Sequence, residues 1–315
     1  MSLHNLPKAP SLAKKKKYYN ISKIPFKSVI TNQYSITALL LISDDKIAYA
    51  TNIGSFFIAS LPELITITTV DKAHSLQIMY LENLTDSRLI SCSWDYLIKI
   101  WKINDTCELL HTIDLHKDIV MKVIAISNGR FASCSFDRTI KIFRDDTYEC
   151  VLNIEDAHSN YIKSIIQLSS GVLVSGSKDL KFWNIDDDTN YHCIHAINNT
   201  ICYNTETLYQ ISWNKILLGQ YKSIMIINVI TYQIETTIFN SEMSLNTSFT
   251  IINDGSLLCA NDNNTIYQYE LRSYELIASK PKSHFRSITS IKSLPCGMFI
   301  SSSYDGSIKR WQYCY

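Results

Sequence analysis

The chain has 315 residues, 46% of them hydrophobic, and sets 30 Lys+Arg against 29 Asp+Glu for a formal charge of +1, the make-up of a folded globular protein. So even a balance offers no electrostatic reason for a nucleic-acid backbone or an anionic membrane as the main partner. No apolar run approaches the roughly 20 residues that cross a bilayer, and the first residues lack the apolar stretch of a secretory signal, so the protein is expected inside the cell.

In chain order, residues 1–17 come first, a Pro-containing basic tail that ends in the run Lys14 to Lys17. Such a run reads as solvated, disordered chain in the cytoplasm, with nuclear import as the competing reading. The folded part is expected over residues 18–315, as one domain. Its first element, Ile24 to Ile30 (IPFKSVI), has the alternation of a strand but no neighbour to pair with locally.

From there a fixed period governs the chain. His74, His116 and His158 are spaced by 42 residues, and His284 falls three such steps further on. A second column, Ala59, Trp101, Phe143, Trp183, Ile227, Tyr269 and Trp311, advances by 42, 42, 40, 44, 42 and 42, so a two-residue deletion before Trp183 is restored before Ile227. A period of this length must be read before any local motif, because it decides whether a His or a Ser is a singular site or one of a set.

The third copy shows the unit. IVMKVIAI, RFASCS, TIKIF and YECVLNI are four short alternating segments separated by turns at Asn128-Gly129, Phe136-Asp137-Arg138 and Asp145-Asp146. These are four antiparallel strands, and helices have no place among them. A sheet this small cannot bury both faces alone, so successive units must stack and then be capped or close into a ring.

The phrase His, apolar strand, Ser-x-Ser-x-Asp, alternating strand and Trp resembles the WD40-repeat β-propeller family. It occurs as His74, Asp95 and Trp101, as His116, Asp137 and Phe143, as His158, Asp179 and Trp183, and as His284, Asp305 and Trp311. The resemblance implies an all-β, seven-bladed propeller of four-stranded antiparallel blades. The last copy stops four residues after Trp311, before its outer strand, and the segment Ile24 to Ile30 would fill that vacancy and close the ring. Copies one, five and six lack the His, carrying Asn32, Thr200 and Glu242, and should be the softer blades.

A Ser, a His and an Asp together raise the question of acyl transfer. A catalytic triad is needed once, however, and this set recurs in four copies. The resemblance implies instead a structural tetrad in which Asp95 accepts from His74, Ser91 or Ser93 bridges, and the Trp101 indole is the terminal donor. The nine cysteines hold no CxxC pair, and Cys92 and Cys134 are 42 apart in SCSWD and SCSFD, which reads as small buried strand residues. Neither a metal nor a cofactor is expected.

In the family, partners most often dock on the face where the His-bearing and Asp-bearing loops emerge. Carried over, the positions facing a partner include Met79, Trp94, Ile119, Met121, Phe136, Tyr161, Lys163 and Tyr203, on blades two to five, against Ser, Thr and Asn on the opposite arc. Exposed aromatics and Met beside a lysine have the composition of an interface hot spot. The expected role is therefore a non-enzymatic scaffold, a monomer within a larger complex, that binds a protein or peptide there. The alternatives are a substrate-recognition subunit of a ubiquitin-ligase-type complex and a propeller enzyme or small-ligand binder using the central channel.

Overall fold

The computed structural model describes residues 20–23, 25–85, 87–104, 106–185, 190–198 and 207–312. Within them, 28 strands form seven antiparallel four-stranded sheets, and two single turns of 3-10 helix stand at Ile21–Lys23, before the first strand, and Pro295–Gly297, inside blade seven. Blade three sets the pattern, with Val120–Ile126 innermost, then Arg130–Ser135, Ile140–Arg144 and, outermost, Cys150–Ile154. The inner strand of each blade touches that of the next, and the series returns from Ile288–Ser293 in blade seven to Ile36–Ser43 in blade one. The molecule is a closed seven-bladed β-propeller.

The apolar core lies between blades. Ala38, Ala48 and Phe56 of blade one pack on Ile78, Leu89 and Trp101 of blade two, with the Phe56 ring edge-on to Trp101 at 5.2 Å. Full burial of each large aliphatic side chain contributes about 1.5 to 3 kcal/mol, and this repeats at every blade junction. The 42-residue column holds one register throughout: Leu89 faces Trp101, Phe131 faces Phe143 and Leu173 faces Trp183, and the weak copies match with Ile47 facing Ala59 and Ile216 facing Ile227. At each of these column residues the third strand bulges against the outer one, which turns the outer strand away with the blade's twist. The two-residue deletion falls between Asp179 and Trp183, where it shortens the turn after Asp179 and leaves the pairing of Leu173–Gly176 with Leu180–Asn184 intact.

Ring closure comes from the N-terminal segment. Phe26–Thr31 pairs with Ser307–Gln312 as the outer strand of blade seven, slightly C-terminal of the expected Ile24 to Ile30. The main chain then crosses to blade one, with the Asn32 N–H donating to the Gly306 carbonyl at 2.7 Å. Gly306 sits at φ +80°, and a Cβ there would stand 2.1 Å from the Asn32 oxygen, so only glycine fits this crossing. A second attachment lies further upstream. Ile21 is fully buried among Leu258, Ile266, Ile288 and Trp311, between blades six and seven, and its N–H donates to the Gln268 side-chain oxygen at 3.2 Å. The 3-10 turn was not legible in the periodicity because it stands outside the repeat.

Four blades carry a buried hydrogen-bonded chain. In blade two the Trp101 indole N–H donates to Ser91 Oγ at 2.8 Å, Ser91 Oγ lies 2.7 Å from His74 Nε2, and His74 Nδ1 lies 2.9 Å from the Asp95 carboxylate. Ser91 is the bridge, while Ser93 donates to the Leu76 carbonyl. The same geometry recurs at His158, Ser175, Asp179 and Trp183, and at His284, Ser301, Asp305 and Trp311. Blade three has it without an indole, because Phe143 stands in that column. One assignment of protons satisfies every group: indole N–H to serine, serine O–H to Nε2, and Nδ1–H to an ionised Asp. Burial holds the His74, His116 and His284 imidazoles below their usual range despite the neighbouring carboxylates. Burial alone would raise the Asp95 carboxyl, yet the bond and charge of His74 and the N–H groups of Ser75 and Leu97 bring it down to about 2.

Two outcomes follow from this wiring. Asp137→Ala leaves His116 and the Lys117 N–H without their acceptor, and should lower stability by about 1 to 3 kcal/mol in chemical denaturation. For pH, the buried imidazoles bind a proton less readily folded than unfolded, so the unfolded chain takes up more protons below about pH 6.5 and stability falls there. A second fall comes below about pH 4, where unfolded carboxylates protonate before Asp95, Asp137 and Asp305 do. Melting temperature should therefore decline steadily from pH 7 to 5, and a flat profile there would contradict the neutral-imidazole assignment. For closure, Ile21→Ala should cost about 2 to 5 kcal/mol. Deleting residues 1–31 should give an open, aggregating product by light scattering, whereas a monomer that melts like the parent would show that the strand is dispensable.

Candidate functional site

The tetrads do more than fill the blade interior. In blades two, three and seven the Asp also accepts from the main chain one residue after its His: Ser75 N–H at 3.0 Å, Lys117 N–H at 3.0 Å and Phe285 N–H at 2.8 Å. This ties the loop entering the blade to the loop between its second and third strands, and both emerge on the same face. A further backbone bond joins these loops, from Trp94 to Gln77, Phe136 to Ile119, Asp262 to Leu245 and Tyr304 to Ser287, at 2.9 to 3.1 Å. Phe136 and Ile119, both expected to face a partner, are thus held next to each other, and the equivalent loop positions are joined in the same way in blades two, six and seven.

Trp94 is 43% exposed, and Leu76 and Tyr96, on the same two loops of blade two, are similarly open. Phe136 of blade three is half-buried because its ring stacks on Tyr161 of blade four, centroids 4.4 Å apart and planes within 18°, while Tyr161 itself is 50% exposed. Ile119 is half-buried beside Phe136. Met79, Met121 and Lys163 are placed differently, in the wall of the central channel at its mouth. Tyr203 lies outside the described residues, as do Lys14 to Lys17. The far arc is less polar than its Ser, Thr and Asn positions suggest, since Phe285 on the entry loop of blade seven is 90% exposed.

The channel is a cavity of about 810 Å³ lined by the inner strands. Bulges at Ile78/Tyr80, Val120/Lys122, Asn246/Ser248 and Ile288/Ser290 turn two successive residues into it, so that Tyr80 joins Met79 and Lys122 joins Met121 in the lining. Among the described residues, Glu82, Lys122, Lys163, Asp262 and Lys292 are the charged residues of that wall. Lys122 Nζ sits 5.1 Å from the centroid of the Tyr80 ring, a cation–π contact. Burial, ahead of all other causes, pushes the Lys122 ammonium down to about 8 and moves Lys292 in the same direction, while it raises the Glu82 carboxyl.

Sequence reasoning missed this cluster, which nothing in the period marks. It also missed a lysine two residues before the Trp column: Lys99, Lys181 and Lys309 each donate to the carbonyl of the residue preceding the blade's His, at 2.6 to 2.7 Å. That column was visible as Lys-x-Trp at regular spacing. On the opposite face, Trp213 and Ile230 of blade five are 71% and 60% exposed on turns joined by the Val229 N–H to Asn214 carbonyl bond. Among the described residues no group of His, Cys, Asp or Glu has the arrangement of a metal site, and no helix is long and apolar enough to cross a membrane.

Comparison with known proteins agrees with this geometry. The family model for the WD domain, G-beta repeat, matches residues 66–102, 107–144 and 276–312. Each match begins near the outer strand of one blade and ends in the third strand of the next, as 66–102 does from Thr66–Val70 to Ile98–Ile103, so the sequence repeat is offset from the structural blade by one strand. No curated protein matches the sequence. Among solved structures, the crystal structure of the WD40 β-propeller domain of Doa1 superposes with a TM-score of 0.79 over 93% of this chain and 98% of that one, at 15% identity. With a ring of seven four-stranded blades and a backbone that follows another such propeller, the chain is a seven-bladed β-propeller that carries WD40 repeats at the three matched positions.

Proposed function

We propose that this protein is a non-enzymatic interaction platform that binds a protein or peptide on the face formed by blades two to four, with Trp94, Phe136 and Tyr161 as the aromatic contacts, Ile119 beside them, and Met79, Met121 and Lys163 at the channel mouth. WD40 propellers generally serve as protein-interaction scaffolds, which supplies the class. The observation that carries the location is the set of partly exposed aromatic rings, with Trp94 and Phe136 on loops tied by tetrad and backbone bonds and Tyr161 stacked on Phe136. Large rings presented at low entropic cost are the residues that dominate binding energy at interfaces.

Burial of the Ser–His–Asp sets supports the non-enzymatic part. Ser91 Oγ is enclosed between the Trp101 indole and the His74 imidazole, and Ser91, Ser175 and Ser301 have no exposed surface from which to attack a substrate. A nucleophile must reach a reacting atom, and these serines face only their own tetrads.

Trp94→Ala and Phe136→Ala should each remove on the order of 2 kcal/mol of partner binding, about a thirtyfold loss, while changing stability by less. Thr247→Val and Thr289→Val, across the channel, should change neither. Quantitative affinity capture from native extract, run beside thermal melting on the same four variants, separates the outcomes. Strong destabilisation of the aromatic variants with the retained proteins unchanged would end the assignment of this surface.

A further inference from the structure

Among the described residues, every blade ends in an outer strand paired on one side only, which leaves backbone N–H and C=O groups on its other edge open to a further strand. Charge on an edge opposes such pairing, and five of the seven outer strands contain an ionisable residue: Lys27, Glu108, His192, Glu235 and Lys280. A sixth, Cys150–Ile154, is bounded directly by Glu149 and Glu155 and exposes no large apolar side chain. The exception is the outer strand of blade one, Thr66–Val70. From Leu64 to Val70 the sequence LITITTV has no charge, no Gly and no Pro, and every residue after Leu64 is β-branched. Ile65 and Ile67 are 61% and 54% exposed on it. Such residues favour extended backbone, and a charge-free run of this length on an open edge is the composition of a strand that pairs with another. The bulge that twists this strand at Ile58/Ala59 recurs in other blades, so the missing charges set this edge apart, not its backbone.

We propose that this edge is a self-association site: two copies of the chain join by antiparallel pairing of Thr66–Val70 with the same strand of the second copy, so that two four-stranded blades become one continuous sheet. Charge selects the occupant. A strand with Lys or Glu opposite Leu64–Val70 would lose water from that charge and meet no counter-charge, whereas a second copy sets only uncharged residues against one another along the run. The remaining edge without internal charge, Cys150–Ile154, would bring Glu149 and Glu155 to the contact. Pairing of identical strands is isologous, so each copy uses its edge once and the assembly stops at the dimer. The edge lies on the rim of blade one, and the proposal is independent of the face assigned to blades two to four.

Sedimentation velocity of the full chain tests it. A contact of one strand pair is small, so a monomer–dimer equilibrium is expected with a Kd on the order of tens of micromolar, within a concentration range of roughly 1 to 200 µM. Hydrogen exchange at the two ends of that range should show amides of Thr66–Val70 gaining protection in the dimer. Ile67→Lys should weaken association at least about tenfold, while melting stays at the parent value because the side chain is more than half exposed. Should that variant melt lower, Ile65→Lys carries the same test from a second exposed position. Ile194→Lys, on the outer strand of blade four and 39% exposed, should leave association unchanged. A chain that stays monomeric throughout the range, a dimer that survives both lysine variants, or protection that falls on any other strand would overturn the proposal. Growth beyond the dimer would overturn the isologous pairing on which it rests.

Discussion

A four-stranded sheet with two apolar faces has no stable existence alone, and the whole molecule follows from how that problem is met. Each blade buries one face on its predecessor and the other on its successor, so Phe56 of blade one and Trp101 of blade two belong to one cluster, as do Ile124 and Ala132 of blade three with Trp183 of blade four. Such an array has two open ends unless it closes, and closure here needs a strand from the other end of the chain, Phe26–Thr31 against Ser307–Gln312. Closing a loop of nearly the whole chain carries an entropic cost that grows only slowly with length, while each matched blade junction contributes its full burial. The Ile21 anchor adds a second, upstream attachment, so the sealing strand is held at both ends, by Ile21 between blades six and seven and by the Asn32 N–H on the Gly306 carbonyl of blade seven.

Closure also creates the channel. Seven inner strands arranged in a ring leave an axis that their side chains do not fill, and the residues facing it border a cavity rather than a neighbouring blade. This is why Glu82, Lys122 and Lys292 can occupy strand positions whose equivalents facing the next blade are uniformly apolar. The tetrads act in the other direction, outward to the face. A buried His–Asp pair that also accepts a main-chain N–H fixes two loops at once, so the structural network and the aromatic contacts are coupled through the backbone of residues such as Ser75 and Trp94.

The sequence revealed the fold because the fold is a period, and a period accumulates evidence with each copy. The columns at His74 and Trp101 located the blades, and even copies without them, such as the one built on Ile216 and Ile227, keep the register. What stayed hidden depends on relations that no period encodes. Lys292 and Glu82 are 210 positions apart and meet only because blade seven returns to blade one. The bulges that turn both Met121 and Lys122 into the channel leave no mark in an alternating pattern, so the rule that successive side chains face opposite ways predicts one and misses the other. Phe285 and Trp213 were missed for a different reason, since only three loop positions per blade were considered and both residues fall elsewhere.

Departure from the period is where function can be sought in a repeat protein, because positions serving only the blade tend to repeat with it. By that criterion the His, Ser, Asp and Lys columns belong to the scaffold, and their recurrence argues against any one copy being a reaction centre. Trp94 and Phe136 share a loop position that carries Asn52, Lys178, Asp262 and Tyr304 in other blades, and the inner-strand position of Glu82 carries Leu40, Ile124, Ile166, Thr250 and Lys292, so these positions vary where the scaffold columns repeat. The far arc supplies a check on the argument. Phe285 also departs from the pattern and is almost fully exposed, yet among the described residues it has no aromatic partner such as Tyr161 gives Phe136, and the Lys309 ammonium over its ring already donates to the Ser283 carbonyl. An isolated exposed ring is ordinary on a protein surface, whereas rings stacked across two blades present a larger apolar surface whose orientation is already fixed.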